Sequence, residues 1–390
     1  MKRCHFLILF IITALSSLNA QNLIKGNWDP KSAGDRIMQN MVRVTMPPIK
    51  GAHDAKFVIA GGKAYIVYYA NDNRPGEDPR WGDIYLEMSV IDIHTMKVER
   101  RIPLARGGQA FGNYTLEDGA CYVPFIFVKD KKTLRCFFAS ENPGKRQSQT
   151  WYIDFDMKSG KFSENIYKAK LLTREGVFDM QPEYFYQHAL SDGYTSQGYV
   201  PDYGLYLFDA ERHEGKTYVS LVMFPWGPSG LAVLNEAMDT FEVVGCIKEP
   251  LNEMAVCFMP DNQWLAVLRN DKPPYQYIFK ESPDGRNWMP KQGSYFQPKG
   301  SPSKPTLDCF NGIYYLGWQS AEKVNGVHRS VFNVDVSRDG INWETKYRFE
   351  TEKSFQYPFF CPYKGRIWFV ITQGDYSPDR KERIMFGCLE

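Results

Sequence analysis

Short apolar runs alternate with polar turn residues along most of this chain. In the first complete example, the apolar runs 56–60 and 64–69 flank a turn at Gly61, Gly62 and Lys63. Strand-like runs on both sides of a short Gly- or Asp-containing turn predict a β-hairpin. The same arrangement occurs six times, with turns at residues 61–63, 130–132, 214–216, 261–262, 311–312 and 364–366.

The spacing of these hairpins predicts a repeated unit. Residues 262, 312 and 365 mark the last three turns, so these turns lie 50 and 53 residues apart. That interval fits one four-stranded propeller blade. We therefore expect an all-β fold, a single six-bladed β-propeller of four-stranded antiparallel blades over residues 21–390. We find no segment with a sustained helical period, and we expect residues 41–45 to close the ring beside the final strand at 382–388.

A seven-residue motif occurs twice in the C-terminal half, at residues 282–288 and 337–343. Both copies have Ser, Asp, Gly, Asn and Trp at equivalent positions. Asp-Gly favours a tight turn because Gly accepts a positive φ and Asp can bond nearby backbone amides. The motif resembles the Asp box, or BNR repeat, of sialidase-like β-propellers. The resemblance implies a structural role for Asp284 and Asp339 on the blade rim, far from the central channel.

Composition and the N-terminus bear on partners and location. The chain has 390 residues with 47 basic and 45 acidic side chains, which argues against nucleic acid as a partner. Lys2 and Arg3 precede an apolar run at 6–15 and a small-residue site ending at Ala20, which predicts a cleaved signal peptide over residues 1–20. The mature chain is expected to be a monomer, secreted or periplasmic, and not inserted in a membrane.

The cysteines indicate neither a metal site nor a disulfide framework. Seven remain after residue 20, an odd number without short spacings, and most lie within apolar runs. We predict no metal and no cofactor. The sequence leaves open one disulfide, between Cys121 and Cys136.

Candidate site residues lie where each innermost strand begins, because these strand starts converge at one end of a propeller channel. Most of the six starts carry an ionisable or phenolic group beside apolar sequence. The candidates at these starts are His53, Asp54, Tyr203, Glu253, Lys304 and Tyr357.

The fourth unit resembles the sialidases most specifically. Asn252-Glu253 opens a strand, Arg269 ends the return strand, and the first Asp box follows. The resemblance implies that Glu253 is the base for a nucleophilic Tyr357 and that Arg269 holds a sugar carboxylate. Such a pair is chemically coherent, because a phenol needs a neighbouring base to become a nucleophile near neutral pH.

The chain departs from the family pattern at other positions. His53-Asp54 stands where sialidases carry Arg-Ile-Pro, and Arg329 is only a distant candidate for a second clamp arginine. Three residues compete for the role of catalytic acid: Asp54, Asp72 and Asp78. With one clear arginine, we expect weak or no cleavage of simple α-sialosides and better activity on another terminal sugar.

An aromatic-rich insertion spans residues 176–204. It is either a sugar-stacking wall that includes His188 and Tyr203 or a rim flap with its own small core. Trp318, at the end of the fifth return strand, is a further candidate sugar contact.

The sequence thus favours an exo-acting glycoside hydrolase with a carbohydrate substrate, a glycan or polysaccharide terminus. One alternative is a polysaccharide lyase that uses His53 and Tyr357, with Arg269 and Lys304 on a uronate. The other is a glycan-binding propeller without catalysis.

Overall fold

The computed structural model describes residues 23–76, 83–141, 148–195, 198, 204–224, 227–273, 275–291, 303–375 and 381–390. These residues form six β-sheets and two short helices. The sheets are the blades of one six-bladed propeller, so the predicted fold class is confirmed.

Each blade runs outward from its innermost strand by antiparallel pairing. Blade 1 contains β2 (Gly51–Ala60), β3 (Lys63–Asn71), β4 (Tyr85–Asp92) and β5 (Lys97–Ala105). Blade 2 contains β6 (Cys121–Val128), β7 (Thr133–Glu141), β8 (Ser148–Asp156) and β10 (Tyr167–Lys168), with β9 (Lys161–Phe162) also paired to β8. Blade 4 contains β17 (Asn252–Phe258), β18 (Trp264–Arg269), β19 (Ile278–Ser282) and β20 (Met289–Pro290).

Blade 3 is larger than the four-stranded pattern predicts. Its main strands are β13 (Gly204–His213), β14 (Lys216–Phe224), β15 (Ser229–Leu234) and β16 (Thr240–Cys246). The inserted strands β11 (Lys170–Thr173) and β12 (Gly176–Asp179) extend it, and β11 pairs with β16 in parallel. Blade 5 contains β21 (Thr306–Phe310), β22 (Ile313–Gln319), β23 (Val331–Ser337) and β24 (Glu344–Glu350).

Blade 6 closes the ring with strands from both ends of the described chain. It contains β25 (Gln356–Tyr363), β26 (Arg366–Gln373), β27 (Arg383–Cys388) and the early strand β1 (Val42–Arg43). In β1, Val42 pairs with Phe386 of β27. The predicted closure is therefore present, and it covers an edge strand that would otherwise be open.

The inner strands are buried on both faces because neighbouring blades pack against each side. In β3, eight of nine residues are buried. Strands buried on both sides read as continuous apolar runs rather than as alternating patterns. This packing explains why the sequence shows the strands as apolar blocks between turns.

The two repeated motifs form identical rim turns. Asp284 Oδ1 accepts hydrogen bonds from the backbone amides of Arg286 and Asn287, both at 2.8 Å, and its Oδ2 accepts from the Asn287 side chain. Asp339 makes the same three bonds in the second copy. The first turn joins β19 to β20 and the second joins β23 to β24, so both lie at the outer edge of a blade, as expected.

Two helices correct the expectation that no segment would be helical. Helix α1 (Pro30–Asn40) is capped by Asp29 and buries Ala33 and Ile37. Helix α2 (Pro182–Ser191) lies in the aromatic insertion. Each has only 10 or 11 residues, too few to show a sustained helical period. Neither is long and apolar enough to cross a membrane, and no other helix in the described ranges is.

Candidate active site

The first residues of the innermost strands surround a cavity of about 350 Å³ at one end of the ring, which we call the mouth. Polar side chains from blades 1, 2, 3, 4 and 6, from the β22–β23 connection of blade 5 and from the loop before β27 line this cavity. They are His53, Asp54, Tyr69, Tyr122, Tyr206, Glu253, Arg269, Arg329, Tyr357 and Lys381.

β-Bulges near the starts of the innermost strands turn side chains toward the cavity. Five of the six innermost strands carry a register shift near their start, and at each shift a residue that lines the cavity is skipped in the pairing. A β-bulge of this kind re-aims a side chain and recurs beside active sites. The skipped cavity residues are Asp54, Val123, Phe208, Glu253 and Tyr357.

Four of these five bulge residues adopt a positive φ although they carry side chains. The values are 48° at Asp54, 46° at Val123, 29° at Glu253 and 57° at Tyr357. This backbone region costs roughly 1–3 kcal/mol for a non-glycine residue and is enriched at functional sites. The surrounding sheets must therefore offset strain that a plain strand would not have.

Glu253, Tyr357 and Arg269 form one hydrogen-bonded cluster in the cavity. The Tyr357 hydroxyl donates to Glu253 Oε1, which is the contact expected from the sequence. Arg269 Nη1 donates to Glu253 Oε2 at 3.0 Å and to the Tyr357 hydroxyl oxygen at 3.2 Å. Arg269 Nε donates to Asp271 at 2.7 Å, which orients the guanidinium. A phenol, its proton acceptor and a cation thus lie in mutual contact.

The environment of Tyr357 keeps its phenol protonated until a base acts. Burial raises the pKa of Tyr357 well above its usual value, and the negative charge of Glu253 raises it further. The positive charges of Arg269 and Arg329 oppose this rise in pKa. Glu253 is placed to accept the phenolic proton, and the arginines to stabilise the negative charge that remains.

Two more cations reach the cavity, and sequence reasoning underestimated both. Arg329 lies with its guanidinium carbon 6.0 Å from the Tyr357 ring centroid and donates to Gln356 Oε1 at 2.8 Å. Lys381 also lines the cavity, from the segment before β27. The expectation of one clear arginine is thus corrected, since Arg269 and Arg329 share the cavity. Neither Arg329 nor Lys381 lies at an innermost strand start, which is why the strand-start rule did not find them.

His53 is a buried, uncharged neighbour of Tyr357. Its ring centroid lies 4.3 Å from that of Tyr357, and its Nδ1 is 2.9 Å from the Thr372 hydroxyl. Burial lowers the pKa of His53 well below its usual value, and the charges of Lys381 and Arg329 lower it further. A neutral imidazole therefore stands beside the phenol at neutral pH.

Among the three candidate acids, only Asp54 is seen at the cavity. Asp54 Oδ1 lies 2.5 Å from Lys56 Nζ, and both side chains are buried. Burial lowers the pKa of Lys56 to about 8. Asp72 instead accepts a hydrogen bond from the Tyr85 hydroxyl at 2.8 Å and is not a lining residue, while Asp78 lies outside the described residues.

A second tyrosine–glutamate contact lies on the opposite side of the mouth, on blades 2 and 3. The Tyr122 hydroxyl donates to Glu141 Oε1 and also bonds to the Tyr206 hydroxyl. Burial raises the pKa of Tyr122 well above its usual value, and Tyr206 and Glu141 add to that rise. Tyr122 opens the second innermost strand, so the strand-start rule could have selected it.

Of four other predicted sugar contacts, three do not line the cavity and one lies outside the described residues. Lys304 lies buried in the channel, with its ammonium 5.7 Å from the ring centroids of Phe208 and Phe359. Trp318 points into blade 5, where its Nε1 donates to Asp335 at 2.8 Å. Tyr203 lies outside the described residues.

The fourth, His188, is buried in the aromatic insertion, 3.6 Å from Asp192. Helix α2 packs this segment into the core of blade 3 through Phe185, Tyr186 and Ala189. The described part of the insertion is therefore a rim flap that shares the core of blade 3, and His188 lies in that core and not at the cavity.

Two other expectations concern metals and cysteines. In the described ranges, no group of three or more His, Cys, Asp or Glu side chains could hold a metal ion. All seven cysteines after residue 20 are free thiols, so the disulfide left open between Cys121 and Cys136 is not formed.

Comparison with known proteins gives structural matches only. No protein-family model matches the chain, and no curated protein matches it. A Hadza microbial sialidase superposes with a TM-score of 0.58 at 11% identity, covering 87% of this chain and 66% of that one. The Trypanosoma rangeli sialidase in complex with sialic acid gives 0.60 at 9%, covering 93% of this chain and 58% of that one.

A mutant of NanB sialidase from Streptococcus pneumoniae gives a TM-score of 0.53 at 9% identity, covering 90% of this chain and 70% of that one. This chain spans less than two thirds of the length of the first two proteins. Identities near 10% support a shared fold and leave activity to be tested. By its blade number, its closure and these superpositions, the chain has a sialidase-like six-bladed β-propeller fold.

Proposed function

We propose that this protein is an exo-acting glycoside hydrolase that releases a terminal, carboxylate-bearing sugar from a glycan or polysaccharide. The observation that supports the proposal most strongly is the contact between Tyr357, Glu253 and Arg269 in the mouth cavity. A tyrosine nucleophile is a recognised exception to two-carboxylate glycosidase chemistry.

The proposed reaction has two displacements at the anomeric carbon. Glu253 takes the phenolic proton as Tyr357 Oη bonds to that carbon, and the bond to the leaving oxygen breaks. Water then attacks the same carbon, Tyr357 Oη departs, and the proton held by Glu253 returns to it. Arg269 stabilises the negative charge on the Glu253 carboxylate and on the Tyr357 oxygen, because it already donates a hydrogen bond to each of them.

The leaving oxygen needs a proton, and we assign the Asp54–Lys56 pair to supply it. Apart from Glu253, Asp54 is the carboxyl group that lines the cavity in the described structure. The Lys56 ammonium lies 2.5 Å from the Asp54 carboxylate. Because the pKa of Lys56 is lowered to about 8, Lys56 can give up its proton near neutral pH. The water that attacks in the second displacement loses a proton, and that proton passes back to the Asp54–Lys56 pair.

The size and charge of the cavity support the substrate class. Its volume of about 350 Å³ lies near the lower end of ligand sites, which suits one sugar unit and exo-action. Three cations line it, Arg269, Arg329 and Lys381. Paired guanidinium groups are efficient at holding a carboxylate. Because His53 is neutral where sialidases carry arginine, weak cleavage of simple α-sialosides stays our prediction.

The test is a panel of 4-methylumbelliferyl glycosides of N-acetylneuraminic acid, glucuronic acid, galactose and N-acetylglucosamine. We expect cleavage of a carboxylate-bearing member and loss of that cleavage in Glu253→Gln. The matched control is Glu214→Gln, which makes the same change in an exposed hairpin turn of blade 3. Cleavage confined to the neutral sugars would refute the carboxylate assignment.

The lyase alternative rests on one observation, the 4.3 Å contact between the rings of His53 and Tyr357. A lyase would release products with an unsaturated sugar that absorbs in the near ultraviolet, and His53→Gln would then cost more activity than Glu253→Gln. Products without that absorbance exclude it.

We also propose that residues 1–20 are removed as a signal peptide and that the mature protein is an exported monomer. Mass spectrometry of the N-terminus after expression in a host with a secretion system tests the first part. Light scattering of the purified chain tests the second.

A further inference from the structure

A groove lined by aromatic rings lies beside the mouth on blade 2. It consists of two depressions of about 380 and 210 Å³ that share Tyr114, Trp151 and Lys168 as lining residues. We call this groove the aromatic cleft. Its walls come from the segment between β5 and β6, from β8 and from β10, so it runs outward across the blade.

Each exposed ring in the cleft is supported by a second ring beneath it. Tyr114 is 38% exposed, and its ring lies 4.6 Å from that of Trp151 at an interplanar angle of 39°. Tyr167 is 48% exposed and stacks on Tyr152 at 5.5 Å and 27°. The inner rings hold the outer ones in place, so the exposed faces are already ordered before any ligand arrives. Preorganised rings bind with less loss of side-chain entropy.

The cleft is connected to the active-site cavity through consecutive residues. Tyr122 lines the cavity and bonds to Glu141, and the preceding residue, Ser140, lines the cleft. The Trp151 indole donates to the Ser140 hydroxyl at 2.8 Å. The cavity and the cleft are therefore close neighbours at the C-terminal end of β7.

The charges in the cleft are largely balanced within the protein. Lys168 and Lys170 both bond to Asp179, at 2.8 and 2.5 Å. This leaves ring faces as the main binding feature, in contrast to the cation-lined cavity. The cleft therefore suits uncharged pyranose units, whose C–H faces pack on aromatic rings.

We propose that the aromatic cleft binds the neutral sugar units on the leaving-group side of the bond to be cleaved, by stacking on Tyr114 and Tyr167. This inference rests on the proposed glycosidase function, and it assigns the substrate as an oligomer or polymer rather than a small glycoside. It extends the site from one sugar unit to several.

The test is affinity electrophoresis of the full chain in gels that contain asialofetuin, gastric mucin or arabinoxylan. We expect retardation in at least one gel. The double variant Tyr114→Ala/Tyr167→Ala should bind at least about fivefold more weakly, because each ring contact contributes about 0.5–1.5 kcal/mol. The Tyr114→Phe/Tyr167→Phe variant keeps both rings and should retain binding. Tyr363→Ala, at the far end of β25, is the matched control and should match the wild type.

Migration in these gels does not depend on catalysis, so the two proposals fail separately. If the glycoside panel shows no cleavage but the Tyr114→Ala/Tyr167→Ala variant is no longer retarded, the cleft binds sugars and the hydrolase proposal is wrong. If the wild type is not retarded in any gel, or the double alanine variant is retarded equally, the cleft does not bind sugars.

Discussion

The mouth contains two tyrosine–glutamate contacts, and they differ in what surrounds them. On one side, Tyr357 donates a hydrogen bond to Glu253, and Arg269 donates to the Glu253 carboxylate and to the Tyr357 hydroxyl oxygen. On the other, Tyr122 bonds to Glu141 and to the hydroxyl of Tyr206. Both phenols have raised pKa values because both are buried.

The two phenols differ in whether their charged and polar neighbours oppose or reinforce the rise in pKa that burial causes. Arg269 and Arg329 lower the pKa of Tyr357 against the effect of burial, whereas Tyr206 and Glu141 raise that of Tyr122. Burial thus opposes proton loss at both phenols, but the cations beside Tyr357 reduce that opposition, whereas the neighbours of Tyr122 increase it. Our proposal therefore assigns the nucleophile to the pair with adjacent guanidinium groups, Tyr357 and Glu253.

The largest effect should come from removing the reactive pair. Glu253→Gln and Tyr357→Phe should each reduce kcat by at least about a hundredfold, because positioned proton transfer contributes that much. The double variant should lose little more, since residues that act as a unit are not additive. Steady-state kinetics on the cleaved glycoside measures this, with Tyr363→Phe on the same strand as control. Near-normal rates in both single variants would end the assignment.

Removing a guanidinium should have the next largest effect. Arg329→Ala should lower kcat/KM for a carboxylate-bearing glycoside by about ten- to a hundredfold, since a charged hydrogen bond contributes about 1.5–3 kcal/mol. Arg329→Lys should restore part of the loss by returning the charge without the planar fork. An equal loss on a neutral glycoside would show that Arg329 does not act on the carboxylate.

The second pair should matter less for catalysis. Tyr122→Phe and Glu141→Gln should each reduce kcat/KM by less than about tenfold, the equivalent of one ordinary hydrogen bond. Circular dichroism should accompany the kinetics, because both side chains are buried. A loss of a hundredfold in a folded Tyr122→Phe variant would contradict this difference between the two pairs and would place a catalytic group on blade 2.

The smallest expected effect is a pH dependence of the free energy of unfolding that comes from His53, the neighbour of Tyr357. The lowered pKa of His53 means that the unfolded chain binds the proton more strongly. The free energy of unfolding should therefore fall as pH drops below about 6.5, by up to about 1.4 kcal/mol per pH unit for one proton.

Melting temperatures between pH 7.5 and 5 measure this dependence. His53→Gln should flatten it, whereas His94→Gln, an exposed histidine, should not. An unchanged slope in His53→Gln would mean that this imidazole is not held neutral by the fold.

The sequence by itself determined the propeller and part of its mouth. The regular spacing of the last three hairpin turns, the paired motifs around Asp284 and Asp339, and the closing segment at Val42 are local features. Their structure follows from turn chemistry and apolar runs. The strand-start rule likewise placed His53, Glu253 and Tyr357 at the cavity, because a strand start in a propeller has one predictable position.

Only the tertiary structure decided which side chains meet there. Arg329 and Lys381 reach the cavity from connecting segments, while Lys304 lies at a strand start but points into the buried channel. The position of a side chain in a connecting loop depends on how blades 5 and 6 pack. A β-bulge changes the direction in which a strand residue points, and no periodic pattern in the sequence reveals it. Distances across the ring are long-range quantities, so one sequence constrains them weakly and the closed fold sets them.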